Sequence, residues 1–217
     1  MNSVLRTADP LLYLAESEFI NWQNPEVLLK AQELHQIVIN RTSKADKTEI
    51  ARCCFEFVRD EIYHSVDYQM NPVTCKASDV LAHGTGYCYA KSHLLAALLR
   101  ANGIPAGLCY QRLTIGDEDG DDGPFSLHGL NAVWLEEYGW YRIDPRGNRL
   151  PSQGKVEVRA EFTPPHEALA YPIRVAGEAD LPEIWAEPLP VVVQALGADK
   201  SWDQVLAELP DTELLVW

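Results

Sequence analysis

Cys88 stands where a chain would activate a thiol. It follows Gly84-Thr85-Gly86-Tyr87 and falls in the first turn of a predicted helix. There the unpaired backbone N–H groups and the helix dipole favour a thiolate. The two glycines let a substrate or another backbone come close. A thiolate nucleophile needs an imidazole partner, and that imidazole needs an acceptor to fix its tautomer and orientation. His128 begins a predicted strand and Asp144 ends the next one. A turn at Glu136-Glu137 sets position 128 across from 144 or 145, with both side chains at the same end of the sheet. A turn centred on Tyr138-Gly139 shifts this by several residues. Each residue also has a plainer reading: a helix that happens to start at a cysteine, a packed strand histidine, and an Asp-Pro turn.

The elements that must position these residues follow from periodicity. Asn24-Pro25-Glu26 opens a helix to about Asn40, with Leu28, Leu29, Ala31, Leu34, Ile37 and Val38 at helical spacing. A second helix runs from Asp46 or Lys47 to about Tyr63, with Ile50, Cys53, Cys54, Phe57, Val58 and Ile62 on one side. Ser78 to Leu81 forms a short helical turn. The helix from about Tyr87 to Asn102 is apolar nearly all round, which predicts a central position. Arg100 in its last turn, Gly103 and Pro105 mark its end. Strands are predicted over Gly107–Ile115, Leu127–Leu135, Trp140–Asp144 and Gly154–Phe162. Segregated helices and strands argue for an α+β fold. After Thr163, prolines at 164, 165, 172, 182, 188 and 190 predict an extended wrap over the core, with a short helix from Trp202 to Leu209. The expected organisation is a core over residues 1–163 and a proline-rich extension over 164–217 that covers or shapes the site.

Three motifs then stand in order. Ser78-Asp79-Val80-Leu81 leads to Gly86-Tyr87-Cys88 and a helix closing in Arg100-Ala101-Asn102-Gly103-Ile104-Pro105-Ala106. His128 to Trp134 follows, and then Gly139-Trp140-Tyr141-Arg142-Ile143-Asp144-Pro145. Over residues 78–150 this resembles the transglutaminase-like superfamily of papain-related cysteine enzymes. The resemblance implies a papain-like α+β fold, with N-terminal helices and a central nucleophile helix packed on an antiparallel sheet. It implies Cys88 as nucleophile, His128 as general acid/base and Asp144 as the residue orienting His128. The Cys88 backbone N–H would be one oxyanion donor; Tyr87, His83, Tyr63 and Gln69 are candidates for the second donor or for lining the cleft. Two departures stand out. The aromatic that family members carry soon after the histidine is delayed to Trp134, and the usual D-P-T ending is Asp144-Pro145-Arg146. Arg146 is a candidate for binding a substrate carboxylate, or simply a partner for one of the many acids.

The formal net charge of -14 repels phosphate backbones and anionic lipid, so neither nucleic acid nor membrane is an expected partner. No stretch approaches the ~18 apolar residues of a membrane span. Met1 to Asp9 lacks the apolar run of a signal peptide, and five cysteines, two of them adjacent, make no disulfide framework. A cytoplasmic setting is expected. No zinc-type spacing occurs, and no metal or cofactor is expected. The acidic run Asp117 to Gly123 departs from a calcium loop at its sixth and twelfth positions and reads as a solvated loop at the rim of the site. The expected activity is hydrolysis of an amide or peptide bond, in a peptide, protein or small amide, through a thioester. The alternatives are transfer to an amine, as in a protein-glutamine transglutaminase, and a non-catalytic binding module.

Overall fold

The structure is a computed structural model that describes residues 9–115, 123–149, 157–197 and 199–211. Helix α1 (Pro25–Thr42) starts where Asn24 accepts from the backbone N–H groups of Glu26 and Val27. Asp46 caps α2 (Lys47–Glu61) in the same way through Thr48 and Glu49. Each cap satisfies orphan donors at a helix start. On α2, Ile50, Cys54 and Val58 are buried as predicted, and Ile62 just after the helix is buried too. Ala51 and Phe55 join them, while Cys53 and Phe57 are only partly buried. Next come β1 (Tyr63–His64), α3 (Ser65–Tyr68), α4 (Ala77–His83), β2 (Thr85–Gly86) and α5 (Cys88–Ala101). As its composition predicts, α5 is the centre of the molecule, buried from Cys88 through Arg100. It packs against α1, α2 and α4 on one side and the sheet on the other.

Four strands form that sheet, in the order β5-β4-β3-β6. They are β3 (Ala106–Thr114), β4 (Phe125–Leu135), β5 (Gly139–Ile143) and β6 (Ala179–Asp180). All pairings are antiparallel. Alternation divides β4 between two faces. Leu127, Val133 and Leu135 join the main core, whereas Leu130 and Ala132 join a second cluster with Tyr13, Cys109 and Ile184. The hairpin between β4 and β5 turns over three residues, because Leu135 pairs with Gly139. Trp134 and Trp140 sit opposite each other across it, with ring centroids 5.7 Å apart.

Two expectations about the later chain need correction. No strand forms over the described part of 154–162. Val158 makes a single bridge to Arg149, and the Ala160 and Phe162 carbonyls accept from Arg59 and Arg52 of α2. The alternation of Val158, Ala160 and Phe162 with charges is real, but it packs the chain onto a helix instead of a ladder. The fourth strand is β6, from the proline-rich region. That region also forms α6 (Pro190–Ala195), which periodicity did not reveal, and α7 (Trp202–Ala207), at the place predicted for a terminal helix. Most of the acidic run from Asp117 lies outside the described residues. No helix among the described residues is long and apolar enough to cross a membrane.

One side chain ties these layers together. Arg100, buried near the end of α5, donates to the carbonyls of Ala106, Ala15 and Ala186, at 3.0, 2.6 and 2.7 Å. It thus joins β3, the N-terminal segment and the proline-rich region. Buried carbonyls left without donors cost about 1–3 kcal/mol each. Of the three only the Ala106 bond is fully buried, so Arg100→Met is expected to lower unfolding stability by about 1–3 kcal/mol in a denaturant titration. An unchanged midpoint would show that these three bonds contribute nothing.

Candidate functional site

Unlike α1 and α2, α5 has no side-chain cap: its N-cap is Tyr87, which makes no capping hydrogen bond. The N–H groups of its first turn are left for something else, and Cys88 is the first residue of that turn. Gly86 allows the approach, since a Cβ there would lie 3.1 Å from Ala90 Cβ and 3.2 Å from Thr74 Oγ1.

Cys88 meets β4 where β5 has left it. The β4–β5 ladder ends at Asn131 opposite Ile143. Beyond that pair the Gly129 N–H donates to Cys88 Sγ at 3.4 Å. Position 129 must be glycine for this contact, because a Cβ would come within 3.0 Å of Tyr89 Cα and 2.8 Å of its ring.

The hairpin also fixes His128 and Asp144. Three residues back from Asn131 is His128, and three beyond Ile143 is Arg146, so this register sets 128 opposite 146. That is one or two residues past the expected partner, because the turn holds three residues. Asp144 lies two residues before Arg146 and so shares the face of His128, in diagonal reach. His128 Nε2 and Asp144 Oδ2 are 2.6 Å apart. Asp144 is fully buried and held on every side. Its Oδ1 accepts from the Arg146 N–H at 3.0 Å, its Oδ2 also accepts from the Ala170 N–H at 3.3 Å, and its own N–H donates to the Ala168 carbonyl at 2.8 Å. Tyr171 stands edge-on to the His128 ring at 5.1 Å. The structure therefore brings Cys88, His128 and Asp144 together, and the region after Thr163 supplies part of their surroundings.

Cys88 and His128 open into a cavity of about 290 Å³. Its walls come from α3 (Val66, Asp67), the start of α5 (Tyr87, Tyr89), the ends of β3 and β4, and the later chain (Tyr171, Leu206, Leu209). The Tyr87 hydroxyl donates to the Trp202 carbonyl and the Tyr89 hydroxyl to the Leu127 carbonyl. Arg146 also lines the cavity, but its guanidinium holds Asp67 with two bonds of 2.5 and 2.9 Å. It is the partner of an acid.

Three candidates lie elsewhere. Tyr63 is 46% exposed, with its ring tilted against that of Tyr68 at 4.6 Å. Alternation along β1 turns it outward and its neighbour His64 inward. Gln69 is exposed as the left-handed cap of α3, with φ of 52°. His83 is exposed in the last turn of α4, and Gly84, at φ 63°, turns the chain away from it. The residue that sequence reasoning missed is His64, which is buried in the cavity wall with its ring 5.8 Å from Tyr87. The signal was its place in a two-residue strand paired with Thr85 and Gly86, and only the register reveals it. Among the described residues, no cluster of three His, Cys, Asp or Glu side chains is placed to hold a metal.

The histidines differ sharply in charge. Burial pulls His128 down, but the charges of Asp144 and Cys88 and its hydrogen bonds to them outweigh this and raise it to about 10. Burial, reinforced by the charges of Arg146, Lys91, His128 and Arg149, holds His64 well below 6.5. A raised folded value means that His128 stabilises the fold fully below pH 6.5 and loses this as pH rises toward about 10. For His64 the sign reverses: its neutral burial stabilises above pH 6.5, and this is lost as pH falls through its depressed value. Side-chain NMR titration is expected to show His128 protonated through neutral pH, and Asp144→Asn should bring its midpoint down. A wild-type His128 midpoint at or below 6.5 would contradict the assigned pairing.

Comparison with known proteins adds to this geometry. No curated protein matches the chain. Among solved structures, a Cytophaga hutchinsonii protein provisionally named a cysteine protease aligns at 18% identity and TM-score 0.48, over 72% of this chain and 48% of that one. The periplasmic domain of TgpA from Pseudomonas aeruginosa aligns at 24% identity and TM-score 0.45, over 65% of this chain and 49% of that one. Red sea bream transglutaminase aligns at 14% identity and TM-score 0.43, over 61% of this chain and 28% of that one. The chain thus spans about half the length of the first two, or less of the third. The family model of the transglutaminase-like superfamily matches residues 35–145, half of the chain, taking in Cys88, His128 and Asp144. The chain belongs to the transglutaminase-like superfamily.

Proposed function

We propose that this protein is a cysteine-dependent acyl-transfer enzyme that hydrolyses an amide or peptide bond through a thioester on Cys88. The observation that carries this reading is the His128–Asp144 contact of 2.6 Å beside a thiol at an uncapped helix start, all within one cavity. Nε2 of His128 is engaged with Asp144, which leaves Nδ1 for proton exchange with the thiol and the substrate. The cycle runs in two halves. The Cys88 thiolate adds to the amide carbonyl carbon and a C–S bond forms. The imidazolium of His128 gives its proton to the leaving nitrogen, and the C–N bond breaks. His128 then takes a proton from water as its oxygen adds to the thioester carbon; the C–S bond breaks, the acid leaves, and Cys88 returns as a thiolate beside the imidazolium. Asp144 keeps the ring oriented and stabilises its charge throughout.

Water is the expected acyl acceptor, and transfer to an amine uses the same first half. Five free thiols suit a reducing, cytoplasmic compartment. The substrate class is a peptide, protein or small amide. We read residues 1–163 as the core and 164–217 as an extension. Groups that touch the site come from that extension: the Ala170 N–H, the Tyr171 ring, and Leu206 and Leu209 in the cavity wall. Cutting it away would remove a hydrogen bond to Asp144 and part of the cavity wall.

Intact-mass measurement with activated ester, thioester and peptide-amide donors tests the reading. An acyl adduct is expected on Cys88, absent in Cys88→Ala and formed about 10²–10⁴ times more slowly in His128→Ala. Added glycine ethyl ester separates the two acceptors: hydrolysis predicts mostly free acid as product, and amine transfer predicts the amide. A folded protein that takes no acyl group on Cys88 from any donor would overturn the proposal.

A further inference from the structure

We propose that His64 is a further catalytic residue, the side-chain donor that binds the oxyanion formed when Cys88 adds to a carbonyl. This rests on the acyl-transfer reading above. When the C–S bond forms, the carbonyl π pair moves onto oxygen. That oxygen needs donors already in place, because donors that must reorganise stabilise it less. The backbone N–H of Cys88 is one. A side chain beside the start of α5 can supply the other.

His64 is carried to that place by the backbone. It pairs in register with Gly86, two residues before Cys88, and its ring stands edge-on to Tyr87. It shares the cavity with Cys88 and His128. Three neighbouring donors are already engaged. The hydroxyls of Tyr87 and Tyr89 donate to carbonyls, and Arg146 is held by Asp67. His64 Nδ1, by contrast, is buried with no hydrogen-bond partner. A buried polar nitrogen left unpaired is a cost to folding, and such groups call for an explanation. A bound oxyanion, present only during reaction, supplies one.

The charge state fits the task. Burial and the surrounding cations hold the ring neutral. A neutral imidazole keeps one N–H to donate and is not already committed to a carboxylate, unlike His128. It also gives up no proton to the thiolate, so it stabilises the oxyanion without quenching the nucleophile.

Two reactions of the same thiol separate this role from a structural one. Alkylation by iodoacetamide displaces iodide at a saturated carbon and forms no oxyanion. Acylation by p-nitrophenyl acetate passes through one, and collapse of that intermediate expels p-nitrophenolate. His64→Phe keeps a ring against Tyr87 and removes the N–H. It should slow acylation about 100-fold while leaving Cys88 alkylation unchanged. Its thermal midpoint should hold or rise, since an unpaired polar nitrogen is gone. His64→Gln restores an N–H donor and should recover part of the acylation rate. Acylation at the wild-type rate in folded His64→Phe would overturn the assignment. So would a parallel loss of acylation and alkylation in both variants, which would make His64 a prop for the thiol. A wild-type protein that is alkylated but never acylated would instead overturn the acyl-transfer reading itself.

Discussion

The site depends on the start of α5 being left uncapped against the edge of β4. The starts of α1 and α2 are closed by local side chains, Asn24 and Asp46. At α5 the cap is a tyrosine that does not cap, and the helix behind it is buried along nearly its whole length. The core fixes the helix axis, and thus fixes where Cys88 must stand. Because β5 departs from β4 at Asn131, the Gly129 N–H is available to the thiol. Glycine at 129 is the condition for that approach, since any Cβ would strike Tyr89. A gap in a ladder and a missing cap thus place a sulfur among backbone N–H groups.

Around this point the protein spends polar groups from distant parts of the chain on a single carboxylate. Asp144 is held by His128, by the Arg146 N–H and by the Ala168–Ala170 segment. The segment beyond Thr163 is consequently built into the site. It is fixed at several other points: β6 on β3, Leu127 N–H on the Pro210 carbonyl, and Arg112 on Asp211 through two bonds of 2.6 Å. Arg146, the departure from the family's usual ending, has a local explanation. Its guanidinium clamps Asp67 of α3, which ties the wall of the cavity to the end of the hairpin.

Much of this was legible in the sequence. The apolar circumference of Leu94 to Leu99 announced a central helix, and Arg100, Gly103 and Pro105 announced its end. His128 and Asp144 stood out by their places at strand ends. The exact register did not, because the number of residues in the turn at Glu136 to Tyr138 cannot be read from their types. Tyr63 and His64 show the same limit at finer scale. One residue of phase in a two-residue strand decides which ring enters the cavity, and two residues show no period. The strand expected over 154–162 failed for another reason. Alternation reports which side chains are buried, and here the backbone carbonyls went to Arg52 and Arg59. The contribution of Ala170 and Tyr171 was illegible because contacts between distant segments leave no local pattern.

The central claim is that Cys88 and His128 form a working pair, and thiol reactivity against pH addresses it most directly. Limiting iodoacetamide, with alkylation mapped at all five cysteines by mass spectrometry, supplies its own controls. Burial pushes the Cys75 and Cys109 thiols up to about 12, and raises Cys53 and Cys54 as well. The account predicts that Cys88 reacts first, stays reactive well below pH 7, and loses that behaviour in His128→Ala. If Cys88 reacts no faster than the other four, or is indifferent to the loss of His128, the pair is not formed and the site is a cavity without a nucleophile.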